Sequence, residues 1–445
     1  MSAQSEARPY RGLLKILGVS FGVAVSVGAV IGSGILRAPS VIAGEVPGAA
    51  LIVGLWVLGG VHAMLGANML AELGAAIPKP GGPYAFAKRV FGDVAGLIVG
   101  WANFLSIIAG LAAASVSFSE FLPLLLPEAA QHKIAVAVAL QLAIYAANVV
   151  GLREGRAIQL VTSLIKAAML FLFILAAVLF VAPAEPHSAL ASSSVWGLGS
   201  LVLAYKLIVG AYSGWAAPIF FSSENEKPGQ SIPRAMFLGI VLTAFLFVGI
   251  NAALLHTLGQ NGVAASALPF TQVIRQFGGA LPSLLFATTA LITVASCANA
   301  NAMRAPRVLF ALAEDGLLPS SLTRVNAGGS PTFAFLLSAV VSIALALTGA
   351  FALVFGLIAT LDTATAVLVE IAFFVLRRRE PDLARPYRAI LYPWLPALVL
   401  AIDAIFLYLI AFADHLGVAV AIGLAVLCVP LAMIARRARY AAAAP

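Results

Sequence analysis

The stretch Val30-Ile31-Gly32-Ser33-Gly34-Ile35 decides how this chain is read. It lies inside an apolar run that begins near Leu13, and Pro39 follows it. A long apolar helix in lipid keeps every backbone N–H paired with a carbonyl. Two glycines around a serine weaken that ladder, because glycine is the poorest ordinary helix former and accepts unusual φ/ψ values. If the helix breaks here, the next segment begins with free N–H groups and a positive dipole end. In mid-membrane such an end takes a small anion such as a carboxylate. The same residues also fit a small-residue surface for helix packing, and the stretch alone does not choose between the two.

Composition demands lipid as the solvent. The 445 residues are 62% hydrophobic and 10% charged, with a mean hydropathy of +1.04; soluble domains carry about 25% charged residues. A span needs roughly 20 apolar residues. Twelve spans are expected, near 13–42, 47–77, 90–122, 132–150, 157–182, 196–221, 233–257, 280–305, 331–349, 352–376, 391–413 and 416–435. The first run is too long for a signal-peptide core and has no clear cleavage site, so it is kept as a span. Cys297 and Cys428 both fall in apolar helices, which gives neither a disulfide framework nor a metal quartet.

The basic residues orient the chain. With the N-terminus inside, 21 of the 26 Lys and Arg lie on inner loops, tails or helix ends, among them Lys88, Arg89, Arg304, Arg307 and Arg377. Lys133 and Arg275 lie outside, and Arg37, Lys166 and Lys206 remain within spans. This split obeys the positive-inside rule with both termini cytoplasmic, in a cell (plasma or inner) membrane. It accounts for the +8 net charge without nucleic acid. The loop Pro78 to Arg89 (PKPGGPYAFAKR) reads as an ordered inner turn and a short interfacial helix.

A second interruption, Gly210-Ala211-Tyr212-Ser213-Gly214-Trp215 and then Pro218, falls in the sixth span. Five helices, a loop and five more helices place the second unit upside down relative to the first. Interrupted helices at matching places in inverted halves point to a transporter's midplane site. The expected organisation is a cytoplasmic tail 1–12, a first five-helix repeat 13–182, an inverted second repeat 196–377, helices 11 and 12 at 391–436, and a tail 437–445.

These residues resemble the amino acid–polyamine–organocation (APC) superfamily, and within it the bacterial and L-type amino acid transporters. The likeness is carried by Gly28 to Pro39 (GAVIGSGILRAP), Ala71 to Gly92, Ala211 to Met236, and Ala298 to Pro331 with Arg307 and EDGLLP at Glu314 to Pro319. Arg377 to Pro393 adds a weaker match. The resemblance implies an all-α, five-plus-five inverted repeat with helices 1 and 6 unwound at a central site. It implies a substrate carboxylate at Gly32, Ser33 and Gly34, and a substrate amino group on backbone carbonyls around Ala29, Val30 and Gly210 to Ser213. A zwitterion suits such a site, since N–H groups meet its negative end and carbonyls its positive end.

Lys166 is the sharpest single residue. It lies about 13 Å along the fifth span, close to the middle of a ~30 Å hydrocarbon core. A cation there costs at least about 2.5–3.5 kcal/mol on insertion scales. In sodium-independent relatives a fifth-helix lysine stands roughly where others hold a sodium ion, tying helix 5 to helices 1 and 8. By that resemblance Lys166 is expected to reach Gly28 and the region of Ser296, and to serve coupling. Asp362, an intramembrane acid in the tenth span, is read either as part of the coupling machinery or as a structural partner.

The pocket departs from the family pattern. Gly210 stands where many relatives carry an aromatic gate, and Ala216 and Ala217 where some carry a polar or acidic side chain. The site therefore reads as roomy and apolar, with Trp215 and Asn301 as further wall residues and Trp215 and Lys206 as gating candidates. Glu224 and Glu226 are expected to pair with inner arginines. The five histidines are scattered, and no metal site, cofactor, catalytic cluster or obligatory accessory subunit is indicated. The reading is a secondary-active, sodium-independent amino acid transporter in the lipid bilayer, using protons or exchange, for a neutral amino acid. Its rivals are a carrier of polyamines or of cationic or acidic amino acids on the same fold, and a nutrient receptor that does not transport.

Overall fold

The computed structural model describes residues 13–184, 197–348, 351–413 and 415–430. The two tails expected at 1–12 and 437–445, Arg436 and His187 lie outside the described residues. The described chain is helical throughout, with only isolated β-bridges besides.

The first apolar run is not one helix. Residues 13–18 are not helical, and Leu17 is clasped by the far half of the chain: its N–H donates to Glu224 O (3.0 Å) and its carbonyl accepts from Glu226 N–H (3.1 Å). Helix α1 (Val19–Val30) follows, then α2 (Ser33–Glu45), bent 45° away from it. Next come α3 (Ala49–Ala76), the short α4 (Pro83–Phe91), α5 (Asp93–Phe121), α6 (Lys133–Val150) and α7 (Leu152–Phe180). The second half holds α8 (Leu198–Tyr212), a 3-10 helix (Ala217–Glu224), α9 (Pro228–Ala264), α10 (Pro269–Gln276), α11 (Ala280–Glu314), α12 (Thr332–Leu347) and α13 (Phe351–Arg379). Helices α14 (Trp394–Ala413) and α15 (His415–Val426) complete it.

Among the described residues, nine helices are long and apolar enough to cross a membrane, ten when α1 and α2 count as one bent span. Two shorter apolar helices, Thr332–Leu347 and Gly417–Pro430, accompany them. The protein is a multi-pass membrane protein. One expected end is corrected: α11 runs on to Glu314. Helix α9 is interrupted at Gly259 (φ 65°), next to the expected end at 257, and a further helical stretch continues to Ala264. The added turns of α11 are buried in protein, from Ala305 to Ala313, so packing against neighbours rather than lipid sustains them.

The broadest helix contacts are α3 with α9 and α5 with α11. At the end of the bundle where α1 begins, charged residues bind these elements together. Tyr84 and Lys88 of α4 donate to Asp315 (2.7 and 2.8 Å). Burial works against an ionised Asp315, yet these donors outweigh it and hold the carboxyl below its ordinary range. Glu72 of α3 accepts from Arg377 Nε (2.7 Å), Arg385 Nε (3.0 Å) and the Ala389 N–H (2.7 Å). Arg307 meets Glu224 through two bonds of 3.0 and 3.2 Å, with both side chains almost wholly buried. Glu224 thus takes the inner arginine expected of it, and its own carbonyl holds Leu17.

Removing one partner of a buried pair strands a charge. Glu224→Ala is therefore expected to destabilise the protein by about 3–5 kcal/mol, while Glu224→Leu combined with Arg307→Met recovers most of the loss. Thermal unfolding of the purified variants in detergent measures both.

Candidate functional site

The site begins where α1 stops. Ile31 leaves the helical region (ψ 94°) and Gly32 is extended, so α2 starts afresh at Ser33. No side chain caps α2, and the first N–H groups of a helix have no partner within it. Gly32, Ser33 and Gly34 line a cavity of about 600 Å³, within the size range of small-molecule sites. Space requires the glycines. A Cβ on Gly32 lies 2.9 Å from Cys297 Sγ, and one on Gly28 lies 1.8 Å from Gln159 Nε2.

The other side of the break leaves carbonyls at the end of α1. Lys166 of α7 answers them: its Nζ donates to Gly28 O (3.0 Å) and Ile31 O (2.8 Å), and the residue is fully buried. A cation at a helix C-terminus also meets the negative end of the dipole. Lys166 makes its hydrogen bonds to α1 and neighbours Cys297, beside Ser296. Ser296 itself lies with Gln159 (3.3 Å), Thr162 (3.0 Å) and Ser163 (3.5 Å), the last two one turn along α7 from the lysine. Ser163 and Gln159 in turn donate to Ala24 O. Helix α1 is therefore held to α7 at two levels.

The second break falls later than the sequence suggests. Gly210, Ala211 and Tyr212 are still helical, and the chain turns at Ser213 to Ala216 before the 3-10 helix. Gly214 carries the turn at φ 111°, a left-handed value that favours glycine. A Cβ there would sit 2.9 Å from the Ala29 carbonyl carbon. Ser26 Oγ donates to Trp215 O (3.3 Å). The two breaks therefore touch, and each stops short because the other occupies the space.

The remaining candidates distribute around the cavity. Ala29, Val30, Gly210, Ala211, Ser213, Ala216, Trp215, Lys206 and Asn301 all line it. A Cβ on Gly210 meets nothing within 4 Å, so that wall is open. Tyr212 also lines it, but its hydroxyl donates to Trp56 O (3.0 Å) and its ring packs on Phe247. Asp362 accepts from Ser213 (2.6 Å) and Ser106 (2.5 Å), which joins α13 to the second break and to α5. Arg37 pairs with Glu120.

A family model described as amino acid permease matches residues 17–434. The chain belongs to that family. The permease is similar to the serine/threonine exchanger SteT of Bacillus subtilis (strain 168), 28% identical over 96% of this chain and 98% of the relative. It is also similar to the large neutral amino acids transporter small subunit 2 of Rattus norvegicus, 28% identical over 86% of this chain and 74% of the relative. The Asc-type amino acid transporter 1 of Mus musculus is 27% identical over 84% and 73%. The protein is thus a transporter of amino acids and not an enzyme.

Sequence reading missed parts of the permease site. Arg304 was counted as an inner-end cation. Because α11 continues to Glu314, Arg304 lies mid-helix instead, only 8% exposed, hydrogen-bonded to Asn301 and over the Phe220 ring. Cys297 donates to Ala29 O (3.5 Å) beneath the break. His62, read as scattered, meets Tyr205 and Asp403. Among the described residues no His, Cys, Asp or Glu group is arranged to hold a metal.

Two glycine variants separate the roles of the second break. Gly214→Ala is expected to abolish substrate binding and lower the melting temperature, because the Ala29 backbone blocks it. Gly210→Ala is expected to leave the melting temperature unchanged, since its Cβ enters open space. Thermal unfolding and scintillation-proximity binding with radiolabelled amino acids read both.

Proposed function

We propose that the permease imports or exchanges a neutral amino acid by alternating access. The observation that carries this reading is the uncapped start of α2 at Gly32 to Gly34, opening into the cavity beside the second break. The substrate carboxylate takes the free N–H groups of Gly32, Ser33 and Gly34. Its ammonium lies toward the carbonyls of Ala29, Val30 and Gly210 to Ser213. Side chains extend past Gly210 and Ala216, where nothing bulky stands. The printed names of the relatives, a serine/threonine exchanger and a large neutral amino acids transporter, favour an uncharged substrate.

The ten membrane-capable segments and two shorter apolar helices support twelve spans. The distribution of Lys and Arg supports cytoplasmic termini. Paired contacts support two inverted repeats at 13–182 and 196–377: span 2 meets span 7 as span 3 meets span 8, and span 3 meets span 10 as span 8 meets span 5. Helices 11 and 12, 391–436, stand outside the repeat. On this reading the broken spans are 1 and 6, and Trp215 and Lys206 move with the second.

Lys166 Nζ donates to the carbonyls at the end of α1, so transport needs no sodium there. Protons or a counter-transported amino acid supply the drive. Asp362 favours a second reading, a cationic amino acid, because it borders the second break. Both its oxygens already accept from serines, Ser106 and Ser213, which favours the neutral substrate.

Purified protein in liposomes, loaded with a panel of unlabelled amino acids, tests the proposal. Tracer counterflow is expected with neutral amino acids, equal in sodium and choline buffers, and weak with arginine, putrescine or glutamate. Counterflow that requires sodium contradicts the role given to Lys166, and a preference for arginine selects the cationic reading. Lys166→Ala is expected to lower counterflow at least tenfold, since it leaves the Gly28 and Ile31 carbonyls unpaired. Wild-type rates in that variant overturn its role.

A further inference from the structure

One end of the substrate cavity holds a group of titratable side chains that the transport reading does not use. His62 of α3 stands between two partners: Tyr205 OH of α8 lies 2.9 Å from its Nδ1, and Asp403 Oδ1 of α14 lies 3.0 Å from its Nε2. Glu370 of α13 is 2% exposed and neighbours Asp403, itself 7% exposed. One of its oxygens, Oε2, is buried with no hydrogen-bond partner among the described residues. Four helices thus converge on one polar knot, and His62, Glu370 and Asp403 all line the cavity.

Chemistry limits what the knot holds. Two buried carboxyls side by side do not both ionise, so one of them carries a proton. With neutral His62 the group then bears one negative charge. One further proton on the imidazole makes His62 a donor on both nitrogens, to Tyr205 and to Asp403, and brings the group to neutrality. A net charge away from water in mid-membrane is costly, and other charged side chains line the same cavity. Lys206 of α8 lines the same cavity and opposes the empty, negative state. Asp362, two turns before Glu370 on α13, lines it as well and accepts from Ser213 of the second break. Arg304 of α11 faces Asp362.

We propose that His62, Asp403 and Glu370 form a proton-binding site that loads one proton with each amino acid imported. This rests on the transporter reading and specifies its coupling ion. The proton enters from cavity water on the outer side and leaves to the inner side. Lys166 stays off the cavity wall, with its Nζ donating to two backbone carbonyls. Substrate and proton are linked through α13, because Ser213 at the break binds Asp362 on the helix that carries Glu370.

The test uses full-length protein in liposomes containing a pH dye, with the neutral amino acid that gives the strongest counterflow. An outside pH one unit below the inside is expected to raise initial uptake at least threefold, and adding substrate at equal pH is expected to acidify the lumen. Glu370→Gln imitates the protonated acid and leaves the imidazole free to load, so its pH profile is expected to stay like that of the wild type. His62→Gln removes the loaded proton: its uptake, normalised to its own maximum, is expected to be flat between pH 5.5 and 8, and its lumen is expected to stay unchanged. Wild-type counterflow without any lumenal acidification overturns the proton site while leaving the transporter reading intact. A wild-type pH profile in His62→Gln overturns it equally. No counterflow with any amino acid overturns the transporter reading itself. If His62→Gln does not fold, the wild-type acidification still decides.

Discussion

Everything at the site depends on how the carbonyls at the end of α1 are satisfied. A helix that stops within a membrane exposes backbone groups that lipid cannot pair. Here the stop is answered on both sides. Lys166 donates to Gly28 O and Ile31 O, and Ser26 ties α1 to the Trp215 carbonyl of the second break. On the far side of the stop, α2 begins with no side-chain cap. One buried lysine thereby stabilises an opening whose free N–H groups face a cavity. Its two bonds and the dipole of α1 offset part of the cost of burying it. Gln159 and Ser163 hold α1 as well: their bonds to Ala24 O fix the helix nearly two turns before it stops.

Rigidity around the opening comes from glycine as much as from charge. Gly28, Gly32 and Gly214 each sit where a Cβ would strike a neighbour, and Gly214 also needs its left-handed backbone. Gly210 differs, because it faces empty space and sets the room available to a substrate side chain. Farther away, Arg307 with Glu224 and Arg377 with Glu72 close the end of the bundle where α1 begins. Leu17 is hydrogen-bonded into that closure, which ties the start of the first broken helix to the segment that follows the second.

Much of this was legible in the chain. Two small-residue interruptions in apolar runs, a lone lysine at mid-depth and the balance of basic residues carry the fold class, the break at Gly32 and the burial of Lys166 against α1. What stayed hidden depends on tertiary packing. The length of α11 is set by protein contacts after Ala305, so Arg304 reads as a helix-end cation although it is buried. The second break shifts from Gly210 to Ser213 because Tyr212 is anchored on Trp56 and Phe247, and no local pattern announces that anchor. His62, Asp403 and Glu370 come from three distant spans, and only their meeting gives them meaning.

The account turns on the free N–H groups of Gly32, Ser33 and Gly34 binding the carboxylate of the amino acid. Competition in tracer counterflow measures this directly, with a transported amino acid set against its methyl ester and its decarboxylated amine. The account predicts that only the free acid competes, with the ester and the amine weaker by at least a hundredfold. Equal competition by the amine would contradict it and remove the break in α1 from substrate recognition.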